Sequence, residues 1–243
     1  DGDELNYFLD FGKPGLRRLS YAASFGHSQW AYPARAEAVK AALARMDHVS
    51  VREASGKTIC AQELGRDDAV HVLDPTLVVE RALYDRIAPG EESGEGVVTY
   101  VLDHAERVRS IAQAASEAIG RPGKIKAIST RDENMDVAGW IRSFRAADFV
   151  VTDSFHGMVF AIVFGKPFIV VPNDGRGLDR FVSLLGLLGL THRLAGPQDD
   201  GETLKAIINA PVDYSAVNAR LAELREASKD YLRAALAPEG GRA

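Results

Sequence analysis

Asp153, Ser154, His156 and Gly157 stand within one five-residue stretch, between the apolar run Phe149–Val151 and the wholly apolar run Met158–Phe164. The first run is rich in β-formers and predicts a fully buried strand. Thr152, Asp153 or Ser154 can then cap a helix. Met158–Phe164 is apolar on every face, as a buried helix would be. Gly165 fits the residue just past a helix end, Pro167 prevents continuation, and Phe168–Val171 predicts a second buried strand. Strand, helix and strand in this order make a unit of a parallel sheet. The polar residues fall at the C-terminal end of the first strand, where open α/β sheets bind ligands. Backbone N–H groups at a helix start favour an anion, and histidine titrates nearest neutral pH. The stretch therefore predicts an anion site with a proton-transfer group. Ser154, Phe155 and Gly157 would supply backbone donors, and Asp153 would either orient His156 or cap the helix. The competing reading of His156 is a buried, hydrogen-bonded histidine without a chemical role. A Ser154–His156 hydrolase is disfavoured, because no G-x-S-x-G surrounds Ser154 and residues two apart rarely pair near a helix start.

Two arginines belong to the same chemistry. Arg52 directly follows the short strand Val49–Val51, so it should sit at the ligand edge of its own sheet. A guanidinium there can bind a carboxylate or phosphate bidentately; the plainer reading is a surface pair with Glu53 or Asp47. Arg180 and Arg176 lie at a predicted helix start after the glycine-rich loop 173–177, and Arg180 is a second candidate cation. Ser24 and Gly26 end the predicted strand Leu19–Phe25, where a ligand could approach the backbone or a turn could simply need glycine. Gly56-Lys57-Thr58 resembles the end of a P-loop, but the required first glycine is Val51, which rejects that reading. Gly65-Arg66-Asp67 reads as a helix-end turn.

Composition bounds the rest. The 243 residues suffice for one large or two small α/β domains. A net charge of −5 removes a broad electrostatic case for nucleic acid, so any anion must be held locally. Cys60 is the one cysteine, which excludes an intramolecular disulfide and a cysteine-rich zinc site. The remaining histidines lack metal-ligand spacing, and no metal is expected. No apolar run approaches the roughly 20 residues of a membrane span, and no signal peptide is visible.

The elements that position these residues follow from periodicity. Helices are predicted over Tyr32–Met46, from Ser55 as cap through Leu64, over His104–Ile119, Val137–Ala147 and Leu178–Leu188, and from Val217 to Leu236. Strands are predicted at Val70–Leu73, Val97–Leu102 and Lys124–Ser129. The Pro-, Glu- and Gly-rich stretch 89–96 reads as a linker between an N-terminal domain, 1–88, and a C-terminal domain with a closing helix, 97–236.

Several motifs together resemble one family. They are S-Y-A-A-S-F-G (Ser20–Gly26), V-S-V-R-E-x-S-G (Val49–Gly56), D-P-T-L (Asp74–Leu77), V-T-D-S-F-H-G-x-V-F (Val151–Phe160) followed by G-K-P-F, and R-F-x-S-L-L-x-x-L-G-L (Arg180–Leu190). In this order, from about Tyr7 to Leu232, they look like the polysaccharide pyruvyl transferases. The resemblance implies an α/β fold of two Rossmann-like domains in a GT-B-like arrangement facing a cleft. It also implies that the first strand and glycine loop of the N-terminal domain precede Asp1. The implied reaction moves pyruvate from phosphoenolpyruvate to two sugar hydroxyls, forming a cyclic ketal and phosphate, with no cofactor. Arg52 and His156 are the implied catalytic residues, with Arg52 clamping the donor from the facing domain and His156 transferring a proton or holding phosphate. The acceptor would be a sugar in a polysaccharide or lipid-linked oligosaccharide, which predicts a cytoplasmic enzyme touching the inner membrane face only through its acceptor. A GT-B glycosyltransferase using a nucleotide-sugar and a non-catalytic glycan-binding relative are the alternatives.

Overall fold

A computed structural model describes residues 4–13, 15–129, 133, 135–172 and 177–238. It is a mixed α/β structure with parallel sheets. The chain separates into two compact units, one of residues 1–78, 177–184 and 220–243, the other of residues 79–176 and 185–219.

In the first unit, a 3₁₀ turn at Pro33–Arg35 leads into α1 (Ala36–Leu43), with proline at the turn's start where its missing N–H costs nothing. Strand β1 (Ser50–Val51), helix α2 (Ala54–Gln62) and strand β2 (Val70–His71) form a parallel pair with its crossover, in the register Ser50 to Val70. Val39, Leu43, Met46, Val51, Ile59 and Leu64 close the core between these elements. The strand predicted over Leu19–Phe25 is replaced by two isolated parallel bridges, Leu19 to His48 and Ala23 to Val51. The cause is local. Ala22 has φ +54°, which interrupts an extended chain, and hydroxyls replace ladder bonds there. Ser20 Oγ donates to Ser50 O at 3.1 Å, Ser50 Oγ donates to Ser20 O at 2.9 Å, and Ala22 N donates to Ser50 Oγ at 3.0 Å. The cap expected of Ser55 is absent too: α2 begins at Ala54, whose amide donates to Ser183 Oγ at 3.0 Å.

The short helix α3 (Pro75–Val78) ends this stretch, and α4 (Arg81–Ile87) opens the second unit. There, β3 (Val97–Tyr100), α5 (Ala105–Ala118), β4 (Ile125–Ile128), α6 (Val137–Ala146), β5 (Phe149–Thr152), α7 (Phe155–Val163) and β6 (Phe168–Val170) alternate as the sequence predicts. The four strands are all parallel, in the order β4-β3-β5-β6. The chain thus steps from β3 outward to β4 and returns to the other side of β3 as β5. Side chains alternate between faces along each strand. Val97, Phe149, Val151 and Ile169 pack with Val108, Ile111, Ala112 and Ala115 of α5. Tyr100 and Thr152, paired in register, belong to the opposite face, where α7 packs. Helices α8 (Leu178–Leu187), α9 (Gly201–Asn209) and α10 (Tyr214–Leu236) complete the chain. No helix among the described residues is long and apolar enough to cross a membrane.

Candidate functional site

The reversal of strand order between β3 and β5 makes the C-terminal ends of these two strands the natural ligand crevice of the second unit. Asp153 sits there, completely buried. Its Oδ1 accepts the Leu102 amide at 2.7 Å, and its Oδ2 accepts those of Asp103 and His104 at 2.8 Å each. One carboxylate therefore holds the whole loop after β3. The cap expected of Asp153 falls to Ser154, whose Oγ accepts the Gly157 amide at 3.4 Å. Thr152 adds a second brace: its hydroxyl donates to Tyr100 O at 2.6 Å and accepts the Ser154 amide at 3.0 Å.

Gly157 is required by packing. A Cβ at this position would collide with Oγ1 and Cβ of Thr152. The amides of Ser154 and Gly157, expected as anion donors, are thus bonded within the protein. Phe155 is buried. His156 is different. From Phe149 through Ile162 every residue is buried except this one. Its ring meets Phe155 edge-on, with centroids 5.5 Å apart. The buried histidine of the competing reading is not what the fold builds; the imidazole is presented to solvent at the first turn of an otherwise enclosed helix.

The first unit gathers a separate charged group. Arg52 follows β1 and donates from Nη1 to Asp74 Oδ2, with only 18% of its side chain exposed. The Asp74 pair is not among the pairings weighed from sequence. Asp74 Oδ1 is held by the Thr76 hydroxyl at 2.6 Å and the Thr76 amide at 3.0 Å. Burial raises the proton affinity of Asp74, but the Thr76 bonds and the Arg52 charge outweigh it and hold the carboxyl below its usual range. Arg180, at the start of α8, lies close enough that burial first and the Arg52 charge second lower its pKa. Two guanidiniums thus share one neighbourhood.

Glu53, weighed from sequence only as a surface partner of Arg52, organises this place. Its buried Oε1 accepts the amides of Phe25 at 2.6 Å and Gly26 at 3.2 Å. Gly26 has φ +73°, and its carbonyl oxygen lies 2.8 Å from where a Cβ on Gly177 would stand. Gly26, Arg52 and Arg180 are therefore brought together within one unit. Ser24 is not part of that group; it is exposed and lines a depression of about 230 Å³ with Phe25, Trp30 and Tyr32. Arg176 lies outside the described residues.

A switch-point crevice with an exposed histidine fits many reactions; the family narrows them. The family model described as polysaccharide pyruvyl transferase matches residues 1–175. The chain belongs to that family. Comparison with curated proteins gives no match. Within the pyruvyl transferase match lie Ser24, Gly26, Arg52 and the whole stretch Asp153 to Gly157. Arg180 and the closing motif Arg180–Leu190 fall beyond it, so the case for Arg180 is its position beside Arg52. As a pyruvyl transferase the chain acts on a polysaccharide. Among the described residues no three His, Cys, Asp or Glu side chains group as a metal site would require.

Proposed function

We propose that the protein transfers a pyruvyl group from phosphoenolpyruvate to two hydroxyls of one sugar, giving a cyclic ketal and inorganic phosphate. The sugar belongs to a polysaccharide or its lipid-linked precursor, and the enzyme works in the cytoplasm, reaching the membrane only through that acceptor. A GT-B-like pairing of two Rossmann-like domains is part of the same reading and rests on family membership. The observation that carries the chemistry is the exposure of His156 in an otherwise buried segment at the strand-order reversal.

The reaction needs a proton delivered to the methylene carbon of the donor, making a methyl group and an electrophilic C2. The first hydroxyl oxygen bonds to C2 and its proton is removed. The C2–O bond to phosphate then breaks, the second hydroxyl oxygen takes that place, and its proton leaves with phosphate. His156 is assigned the proton transfer, for which imidazole is suited near neutral pH. Arg52 and Arg180 are assigned to the donor's carboxylate or phosphate, since paired guanidiniums form strong charge-assisted bonds to such groups. Asp153, with both oxygens committed to backbone amides, is assigned to positioning.

Incubation with phosphoenolpyruvate and a panel of lipid-linked or nitrophenyl sugars tests this reading. It expects phosphate release that depends on both the donor and a sugar, with the ketal found by mass spectrometry. Transfer from nucleotide-sugars without use of phosphoenolpyruvate would establish a glycosyltransferase instead.

A further inference from the structure

Beside His156 the second unit carries a depression of about 390 Å³. Its floor is aromatic: Trp140 meets Tyr100 at 5.2 Å and 83°, and Phe160 at 5.0 Å and 87°. Around it stand two polar side chains, Asp136 and His156, with Met135 and Val137 beside them. Helix geometry produces this layering. Residues four apart lie one above the other on a helix. Asp136, the cap of α6, thus stands over Trp140, and His156, in the first turn of α7, stands over Phe160. Tyr100 joins the floor because its register with Thr152 sets it on the sheet face that α7 covers. The Trp140 Nε1–H is enclosed and has no acceptor among the described residues, an unusual state for a buried donor.

We propose that this depression holds a single pyranose ring of the acceptor. A sugar ring has an apolar C–H face that packs on aromatic rings and a rim of hydroxyls that needs polar partners. The Trp140 floor and the Asp136 and His156 rim offer both. A volume of about 390 Å³ lies near the lower end of ligand pockets, roughly 300–1,000 Å³, and suits one ring rather than an extended chain. Asp136 Oδ1 accepts the Gly139 amide at 2.6 Å and lies 3.8 Å from Arg142 Nη2, so the rim offers a carboxylate acceptor for sugar hydroxyls. Seated there, the ring's hydroxyls lie next to the His156 imidazole. This assignment rests on the pyruvyl-transfer reading for its choice of ligand.

The test uses the whole chain and methyl pyranosides of the gluco, galacto and manno series, read by saturation-transfer NMR without phosphoenolpyruvate. Donor binding is measured separately by calorimetry. Val137 is 73% exposed, so Val137→Arg obstructs the rim without disturbing the core, and Trp140→Phe keeps a ring in the floor. Wild type should bind at least one pyranoside. Val137→Arg should weaken that binding by about tenfold or more, a change of about 1.4 kcal/mol, with donor affinity unchanged. The assignment is overturned if no pyranoside binds, if Val137→Arg leaves sugar binding intact, or if it weakens the donor instead. Sugar binding through this rim without phosphate release from phosphoenolpyruvate would keep the pocket and remove the reaction.

Discussion

The carboxylate of Asp153 receives the backbone amide of His104 at 2.8 Å, joining the loop after β5 to the loop after β3 across the point where the strand order reverses. With Leu102 and Asp103 also donating to it, a buried acid takes the part that several loop residues would otherwise share. Removing it leaves three amides without their acceptor. Asp153→Ala should lower stability by about 2–4 kcal/mol. Asp153→Asn should recover little, because its NH₂ would face N–H donors. Urea unfolding of the variants checks this; a loss below about 0.5 kcal/mol would show that the loop holds without the carboxylate.

Thr152 and Gly157 are a matched pair. Gly157→Ala drives a Cβ into the Thr152 side chain and should cost about 1–3 kcal/mol. In the Thr152→Ala background the closest contact, with Oγ1, is gone and only the Cβ at 3.0 Å remains, so the double variant should be more stable than the sum of the two single losses. A double-mutant cycle in denaturant measures the coupling, and strict additivity would contradict the contact.

Substitution of Arg52 and of Arg180 should have different consequences. Arg52→Ala strands the buried Asp74 carboxylate and should destabilise the protein by on the order of 3 kcal/mol. Arg180→Gln removes the second guanidinium beside Arg52. It should raise the KM for phosphoenolpyruvate about tenfold, or about 1.4 kcal/mol. Steady-state kinetics at varied donor concentration decides it; an unchanged KM would remove Arg180 from the donor site.

His71 gives the first unit a pH dependence. Burial, the leading cause, lowers its pKa below the ordinary value of 6.5. The folded state then binds its proton less readily than the unfolded state. The corresponding stability is fully present above about pH 6.5 and is lost as pH falls from there through the lower folded value. Asp74, also held below its usual range, adds a loss of the same sign at more acid pH. Thermal unfolding across pH 5 to 8 should therefore show a decline on acidification that His71→Gln reduces.

The strand-helix-strand unit around His156 was legible because each piece has an unambiguous signal: a short β-branched run, a wholly apolar helix, then Gly165 and Pro167. Helices α5 and α6 follow their apolar periodicity for the same reason. The stretch Leu19–Phe25 looks like a strand by composition, yet two serine hydroxyls and the positive φ of Ala22 decide its form. Such side-chain bonds between residues 30 apart leave no local pattern. The same holds for Asp153 and Glu53. Both are acids beside predicted ligand edges, and only the fold shows that their oxygens serve backbone amides of distant loops. The Arg52–Asp74 pair is invisible in sequence order but follows once β1 and β2 lie side by side.

The most direct test is phosphate release from phosphoenolpyruvate in the presence of a pyruvylatable sugar, compared between wild type and His156→Gln. Because His156 is exposed, the substitution should leave the melting temperature unchanged, so a kinetic loss reports chemistry rather than folding. The expected result is a fall in kcat of about 10²-fold or more with an intact fold. Phosphate release at the wild-type rate by His156→Gln would contradict the assignment of proton transfer to this residue.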